Sequence, residues 1–220
     1  MLHLNPSYTG LRMDVLEHIQ GINNVVLDVG CAIGENGKYL LKEKQAISVY
    51  GVEFDAEMAT IASKSNTKIF QGDLNDFTFR KEIIANSPEF DYIIFADVLE
   101  HLLEPEKILK ELLSQLKPSG KVIISLPNVA HIETFIQLYV KGTWPKNPRG
   151  IFDSTHLRWF TKKDAFKMIM DSGLHIIKYI PKLRARDSIG SEFNWKYNFI
   201  KWINKDWVTF QHILICSNES

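Results

Sequence analysis

The stretch NVVLDVGCAIGENG, residues 24–37, decides the fold of this chain. A short run rich in β-branched residues, 24–29, leads directly into Gly30, and a helical pattern follows over 35–44. A glycine-rich turn between a strand and a helix lets the backbone approach a ligand closely, because no Cβ atom intervenes. The stretch therefore predicts a first strand, a ligand-binding turn and a first helix of an α/β fold.

Strands and helices alternate beyond this stretch. Further strands are predicted at 48–54, 67–71, 91–96 and 121–126, and helices at 56–63, 77–86 and 104–117. The last two of these strands are continuous apolar runs, which is typical of strands covered on both faces. We therefore expect a doubly wound, Rossmann-like parallel sheet with helices on both faces and a ligand crevice at the carboxyl ends of its strands.

The pattern changes after residue 126. It predicts a helix over 128–141, a loop over 143–149, a helix over 161–172 and two more strands at 174–180 and 208–216. We expect one domain over 1–220. It divides into an N-terminal helical segment (1–23), a cofactor-binding core (24–128), an acceptor-side part (129–173) and edge strands with an aromatic insertion (174–220).

Composition excludes several classes of protein. Lys and Arg number 26 and Asp and Glu also 26, a balance that disfavours a partner such as duplex nucleic acid. Two cysteines far apart provide neither a disulfide framework nor a zinc site, and we assign no metal ligands. The first residues lack the features of a signal peptide, so we expect a cytoplasmic protein.

The neutral total conceals an asymmetry. Residues 1–126 carry 12 basic and 18 acidic side chains, whereas residues 127–220 carry 14 basic and 8 acidic ones. Chance scatter of solvated charges is one interpretation. The other is that the basic half faces an anionic acceptor or an anionic membrane surface.

The glycine turn does not suit a dinucleotide. Counted from Gly30, the pattern G-x-G-x-x-G requires glycine where Ala32 and Glu35 stand, and an acid at the last position repels phosphate. An adenosyl ligand without phosphates fits better. Glu53, at the end of the second strand, can accept hydrogen bonds from ribose hydroxyls. Asp73 can accept from an adenine amine while Leu74 packs on the ring.

Five motifs in this order resemble those of class I S-adenosylmethionine-dependent methyltransferases. They are VLDVGCAIGENGKYL (26–40), YGVEFDAEM (50–58), QGDLNDF (71–77), FDYIIFADVLEHLLEP (90–105) and LKPSGKVIISLPN (116–128). The resemblance covers residues 24–128 and departs at Ala32, where many members have glycine. It implies S-adenosylmethionine as cofactor, S-adenosylhomocysteine as product, and a seven-stranded sheet that ends in an antiparallel pair.

A second resemblance covers residues 124–173. The segments ISLPNVAHIETFIQLYVKGTW (124–144) and RGIFDSTHLRWFTKKDAFKMIMDSG (149–173) are similar to methyltransferases associated with the synthesis of cell-surface polysaccharides and glycolipids. This similarity implies kinship more strongly than it implies a substrate. It suggests a glycan or glycolipid acceptor.

The resemblance also implies a set of cofactor-binding residues. They are Tyr8, Arg12, Asp28, Gly30, Cys31, Gly34, Glu53, Phe54, Asp73, Leu74, Ala96 and Asp97. Gly30 and Gly34 would line the methionine moiety, and Asp28 would orient its ammonium group.

Four of these residues would surround the rest of the methionine moiety. Ala96 and Asp97 would flank the methionine tail near the sulfonium. Tyr8 would close over the cofactor, and Arg12 would meet its carboxylate.

Three histidines are candidates for a general base, which methylation of a hydroxyl group needs and methylation of a neutral amine does not. His131 and His156 rank first because they lie in the part that varies with substrate, and His101 follows the fourth strand. Each also has a purely structural interpretation as a hydrogen-bonded loop or helix-start residue. Arg149 and Arg158 are candidates for binding an anionic acceptor.

Aromatic and lysine side chains alternate over residues 193–210. The segment is either a helix that caps the core or forms a homodimer contact, or a peripheral membrane contact.

For function we expect O-methylation of a small-molecule or glycan-type acceptor. The alternatives are a non-catalytic protein that binds S-adenosylmethionine within an assembly and a nicotinamide oxidoreductase.

Overall fold

A computed structural model of the chain describes residues 9–186 and 195–218. Its sheet contains seven strands: β1 (Asn24–Val29), β2 (Ala46–Glu53), β3 (Lys68–Gln71), β4 (Phe90–Ala96), β5 (Leu116–Pro127), β6 (His175–Leu183) and β7 (Thr209–Ser217). The α-helices among the described residues are α1 (Met13–Leu16), α2 (Glu35–Lys42), α3 (Ala56–Ala62), α4 (Phe77–Ala85), α5 (Pro105–Leu112), α6 (Ile132–Phe135), α7 (Lys162–Asp171) and α8 (Trp195–Ile203). Every predicted strand is therefore present.

The strands lie in the order β3-β2-β1-β4-β5-β7-β6. Neighbouring strands from β3 to β5 are parallel, and β7 runs antiparallel to both β5 and β6. This confirms the expected Rossmann-like sheet and its antiparallel C-terminal pair. The direction of the crossovers changes between β1 and β4, so a crevice opens at the carboxyl ends of these two strands.

Apolar side chains cover both faces of the sheet. On β4, Ile93 and Phe95 pack into one buried cluster while Tyr92 and Ile94 pack into another on the opposite face. Successive residues of a strand point to opposite faces, so a continuous apolar run is what a sheet covered on both sides requires. The apolar runs of the sequence therefore correctly predicted the layers of the fold.

The turn after β1 has the backbone conformation that its glycines suggest. Gly30 and Gly34 have φ angles of 71° and 81°, and Gly34 caps the start of α2. A Cβ atom on Gly30 would come within 2.5 Å of a methyl carbon of Val98. Ala32 also adopts a positive φ, 48°, so alanine stands where the backbone favours glycine.

The predicted helix over 104–117 is too long. Helix α5 ends at Leu112, a 3-10 turn covers Leu113–Gln115, and β5 begins at Leu116. Phe90 of β4 pairs with Leu116 and Tyr92 pairs with Lys121, so the register shifts between these pairs. The extra residues of β5, which include Pro118 and Gly120, lie at this irregularity. The apolar spacing over 104–117 reflects burial of a helix, a 3-10 turn and a strand in succession.

The predicted continuous helix over 128–141 is also wrong. Asn128 is fully buried and its amide donates to the carbonyl oxygens of Asp206 and Thr209, at 2.8 and 2.7 Å. These bonds hold the chain after β5 in an extended bridge with Phe160. The short helix α6 starts only after this bridge and passes into a π-helix over Ile136–Val140.

The C-terminal part follows the prediction more closely. Thr161 and Asp164 form the expected capping box at the start of α7. Helix α8 lies within the aromatic segment 193–210, whose first two residues lie outside the described part of the chain. No helix among residues 9–186 and 195–218 is long and apolar enough to cross a membrane.

Candidate functional site

A cleft of about 1250 Å³ lies at the carboxyl ends of the parallel strands. One side is lined by the turn after β1 and by the ends of β2, β3 and β4, including Ala32, Glu53, Asp73 and Asp97. The other side is lined by residues after β5 and before α7, including His156. One continuous cleft thus joins the predicted cofactor residues to the predicted acceptor segment.

Glu53 is held firmly at the end of β2. Its two carboxylate oxygens accept hydrogen bonds from the backbone amides of Ala32, at 2.7 Å, and Asp55, at 2.9 Å. Each carboxylate oxygen can accept more than one hydrogen bond, so capacity remains for a pair of ligand hydroxyls. The geometry suits the predicted contact with ribose, because the carboxylate cannot rotate away from the cleft.

Asp28 lies beneath the glycine turn and is almost completely buried. One of its oxygens accepts from the side-chain amide of Asn36 at 3.3 Å, and the other, Oδ1, has no hydrogen-bond partner within the described part of the chain. Burial raises the pKa of Asp28 from 3.8 to about 7, and the negative charge of Glu53 contributes to the rise. An ammonium group near Asp28 would favour its ionised form.

Asp97 is the centre of a polar network after β4. Its carboxylate accepts from the guanidinium of Arg12, the hydroxyl of Ser125 and the amide of Gln211. The guanidinium of Arg12 also pairs with Asp14 and donates to Ser125. The structure therefore places Arg12 at the cleft, as predicted. Its guanidinium is already paired with Asp14 and Asp97, so a ligand carboxylate would share it with these two side chains.

The third strand leads to the predicted adenine end of the cleft. Asp73 is exposed and accepts from the backbone and side-chain amides of Asn75, at 2.8 and 3.0 Å. Leu74 is buried beside it, whereas Phe54 is 71% exposed at the rim. A flat ring placed here would cover Leu74 and find an acceptor in Asp73.

His101 closes the acceptor side of the cleft together with Thr155. Its Nδ1 lies 3.2 Å from the carbonyl oxygen of Thr155 and 3.1 Å from the hydroxyl of the same residue. A carbonyl oxygen only accepts, so Nδ1 carries the proton and Nε2 keeps its lone pair. Asp153 fixes Thr155 in turn by accepting from its hydroxyl at 2.7 Å.

His156 and Glu100 lie next to His101. The rings of His101 and His156 meet edge to face with centroids 4.8 Å apart. His156 Nε2 lies 3.9 Å from an oxygen of Glu100, and burial lowers the pKa of His156, to which the neighbouring His101 contributes. Burial also raises the pKa of Glu100 well above its ordinary value, and the charge of Asp97 adds to this rise.

His131 occupies a different environment. Its ring caps α6, since Nδ1 accepts from the amide of Glu133 at 3.1 Å. Its Nε2 lies 2.8 Å from the carbonyl oxygen of Arg184 and donates to it. Burial lowers its pKa. Both ring nitrogens are thus engaged with the backbone, and His131 is not among the residues that line the cleft.

The structure therefore sorts the predicted site residues. Nine of them line the cleft: Arg12, Gly30, Cys31, Glu53, Phe54, Asp73, Leu74, Ala96 and Asp97. Asp28 lies beneath the turn and Gly34 belongs to it, but neither is among the residues that line the cleft, contrary to the expectation for Gly34. Tyr8 lies outside the described residues. Among the candidate bases, His101 and His156 line the cleft.

Sequence reasoning overlooked Asn36, Glu100 and Gln211. Glu100 directly precedes a candidate histidine in the motif ADVLEH (96–101), which is a signal that a search for clustered ligand-type residues would have found. Gln211 belongs to a strand far away in the sequence, and nothing in its local pattern connects it to Asp97.

Residues 12–179 match the sequence profile of a family described as a methyltransferase domain. The chain belongs to this methyltransferase family. It is 24% identical over 207 residues to phosphoethanolamine N-methyltransferase 2 of Caenorhabditis elegans, covering 84% of this chain and 46% of that protein. It is 26% identical over 158 residues to a ubiquinone biosynthesis O-methyltransferase of Coxiella burnetii, covering 68% of this chain and 66% of that protein. The chain thus spans about half the length of the first relative and two thirds of the second.

A solved structure supports the fold. The methyltransferase in a complex of Haloferax volcanii, described as the Trm112 methyltransferase activator with a putative methyltransferase, superimposes with a TM-score of 0.63. The alignment has 16% identity and covers 97% of this chain and 89% of that one. At this identity the match shows a shared fold.

The family implies S-adenosylmethionine as the cofactor and S-adenosylhomocysteine as the product, which decides against a nicotinamide cofactor. The residues present fit this ligand. Glu53 and Asp73 present carboxylate oxygens that would accept from ribose hydroxyls and an adenine amine, and Gly30 lines the cleft without a Cβ atom. The buried Oδ1 of Asp28, beneath the glycine turn, has no hydrogen-bond partner among residues 9–186 and 195–218 and would accept from a ligand ammonium group.

Substitution of Glu53 tests the ribose contact. Because the carboxylate is fixed by two backbone amides, we expect Glu53→Ala to weaken S-adenosylhomocysteine binding by roughly tenfold or more. Isothermal titration calorimetry measures the loss. Glu57→Ala, which removes an exposed acid from the first turn of α3, should leave the affinity unchanged. Equal affinity of Glu53→Ala and the unaltered protein would contradict the assignment.

Substitution of Asp28 tests its burial. The pKa of Asp28 is about 7 in the folded state and 3.8 in the unfolded state. Between about pH 4 and about pH 7 the folded state therefore holds more protons than the unfolded state. The free energy of unfolding falls as pH rises through this range. Asp28→Asn removes this loss. We expect its melting temperature at pH 8 to exceed that of the unaltered protein by roughly 2–8 °C, for a gain of about 1–2 kcal/mol, and the difference to disappear near pH 4.

Asp91→Asn is the matched control. Burial opposes ionisation of Asp91, but its bonds with Lys117 and the amide of Val25 keep its pKa below the ordinary value. This substitution should therefore lower the melting temperature at pH 8. A destabilised Asp28→Asn variant at pH 8 would show that the carboxylate is ionised and stabilising.

Proposed function

We propose that this protein transfers a methyl group from S-adenosylmethionine to a hydroxyl group of a small, anionic acceptor of the glycan type. The observation that carries the proposal is the single cleft, which brings Glu53, Asp73 and Asp97 together with Asp153 and His156. An acceptor on the side of His156 would face a cofactor bound on the side of Glu53. A protein that only bound the cofactor would not need the residues on the His156 side of the cleft.

The nearby side chains favour a hydroxyl acceptor. S-Adenosylmethionine supplies an electrophilic methyl group on a sulfonium. The acceptor oxygen forms a bond to the methyl carbon as the carbon–sulfur bond breaks, and the hydroxyl proton must leave. The group formed by Glu100, His101 and His156, called the acceptor cluster below, lies where this proton would be released. An amine acceptor would need no such group.

The basic residues around the cleft favour an anionic acceptor. Arg149 is exposed at the rim, and Arg184 lines the cleft with its guanidinium 3.9 Å from the ring centroid of Phe210. Both belong to the basic half of the sequence. The Caenorhabditis elegans relative is named for a phosphate-bearing acceptor, phosphoethanolamine, which is compatible with this charge.

Transfer of labelled methyl groups tests the proposal. Neutral sugars, sugar phosphates and uronic acids are offered with labelled S-adenosylmethionine. We expect transfer to the acidic compounds, and the Michaelis constant of the acceptor should rise with salt, because charge attraction is screened. Arg149→Ala should raise that constant roughly threefold to tenfold. Lys163→Ala, at an exposed position on α7, should leave it unchanged.

Two outcomes would contradict the proposal. Binding of S-adenosylhomocysteine without transfer to any hydroxyl compound would favour the non-catalytic role. Transfer to a neutral acceptor, with a Michaelis constant indifferent to salt and to Arg149, would refute the anionic acceptor and leave methyl transfer in place.

We further propose that α8 contacts an anionic membrane surface. Trp195, Phe199, Trp202 and Ile203 follow the spacing of one helix face, and Trp195 and Trp202 are 75% and 80% exposed. Lysines at 196, 201 and 205 are interspersed with them and exposed. Tryptophan beside lysine is the composition that binds at a headgroup interface.

Vesicle sedimentation tests this contact. The protein should sediment with vesicles of phosphatidylcholine and phosphatidylglycerol more than with phosphatidylcholine alone, and Trp202→Glu should abolish the difference. Ile22→Glu changes an equally exposed apolar residue away from α8 and should bind as the unaltered protein does. The proposal would be wrong if the protein did not bind vesicles but formed a dimer, and if Trp202→Glu dissociated that dimer. A second copy of the chain would then cover this face of α8.

A further inference from the structure

The acceptor cluster has an unusual concentration of ligand-type atoms. Glu100, His101 and His156 each place one oxygen or nitrogen so that the three atoms lie within 4.8 Å of one another. All three residues line the same cleft as the cofactor-binding residues. Two of them, Glu100 and His101, follow β4 on one 3-10 turn, and the third comes from the loop before α7.

That loop is fixed to the 3-10 turn by the backbone. The amides of Leu157 and Arg158 both donate to the carbonyl oxygen of Glu100, at 2.9 and 3.0 Å. The two histidines are therefore brought together by main-chain hydrogen bonds rather than by contact of their rings alone. The two backbone segments that carry the three ligand atoms are thus joined directly to each other.

The buried atoms of the cluster lack partners. The side chain of Glu100 is 1% exposed, yet neither of its oxygens accepts a hydrogen bond within the described part of the chain. Nδ1 of His156, whose side chain is 5% exposed, is likewise unpartnered there. Leaving such groups without partners away from water costs free energy. One cation between them would satisfy the carboxylate and the imidazole together.

Hydrogen bonds orient the imidazole rings of both histidines. Nδ1 of His101 donates to Thr155, so its Nε2 is the atom with a lone pair. The ring of His156 has a backbone hydrogen bond with Ile151, and its Nδ1 has no partner among the described residues. Histidines that bind metals are commonly held in this way, with the second nitrogen bonded to a backbone or hydroxyl oxygen.

We propose that Glu100, His101 and His156 bind a divalent cation on the acceptor side of the cleft. Two imidazoles and one carboxylate favour Mn²⁺, Fe²⁺, Co²⁺ or Zn²⁺ over Mg²⁺, which prefers oxygen ligands. Three protein ligands leave coordination positions open toward the cleft. The proposal replaces the expectation from the sequence that the chain has no metal ligands.

The role of the cation rests on the proposed function. The cation would lower the pKa of an acceptor hydroxyl that reached it, so that the hydroxyl would release its proton to water near neutral pH and its oxygen would be a stronger nucleophile. The histidines then act as ligands and not as the base. Binding of the cation itself does not depend on which acceptor the enzyme uses.

Titration with Mn²⁺ tests the site. The full-length protein is treated with chelator and titrated while electron paramagnetic resonance measures free Mn²⁺. We expect one bound ion per chain, with couplings to two histidine nitrogens in the pulsed spectrum. His156→Ala and His101→Ala should each weaken binding by roughly tenfold or more. His175→Ala, at an exposed position at the start of β6, should bind as the unaltered protein does.

The controls separate this inference from the proposed function. Calorimetry with S-adenosylhomocysteine shows whether each variant is folded, and His101→Ala, at the less buried position, carries the test should His156→Ala not fold. Absence of Mn²⁺ binding by the unaltered protein, or binding by both variants as tight as that of the unaltered protein, would overturn the metal site even where S-adenosylhomocysteine binds normally. A protein that binds Mn²⁺ at these residues but transfers no methyl group would retain the site and refute the proposed function.

Discussion

The carboxylate of Asp97 ties together the parts of the chain that form the cleft. It accepts from Arg12 in the N-terminal segment, from Ser125 on β5 and from Gln211 on β7. Charge-assisted hydrogen bonds of this kind are stronger than neutral ones, and three converge on one group. Asp97 itself has a φ of 59°, a conformation in which the chain turns sharply away from β4 and into the turn that carries Glu100 and His101.

The two sides of the cleft are built from different kinds of structure. On the side predicted to hold the cofactor, the polar groups lie at the ends of parallel strands that are buried on both faces. On the acceptor side, they are positioned by loops attached through specific hydrogen bonds, such as those of Asn128 to Asp206 and Thr209. Loops of this kind can change between relatives without disturbing the sheet, which suits a family whose members methylate different acceptors.

The strands and the turn that form one side of the cleft could be predicted from the sequence because their signals are local. Apolar runs identify strands covered on both faces, glycines identify the turn, Glu53 ends β2 and Asp73 follows two residues after β3. The acceptor side was harder to predict because its contacts join distant residues. The helix expected over 128–141 failed at Asn128, whose side chain bonds to a segment some eighty residues away. The cluster of Glu100 with His156 was missed for the same reason, since their proximity depends on how the intervening chain returns.

The position of β7 has a consequence for the order in which the molecule assembles. This strand lies between β5 and β6, although it is the last of the three in the sequence. While the chain is being synthesised, β6 has no neighbour in the sheet and β5 presents an unpaired edge until residues 209–217 emerge. Gln211 reaches Asp97 only at that stage, so the wall of the cleft closes last. A nascent chain is thus most exposed to unwanted strand pairing just before its final strand is released.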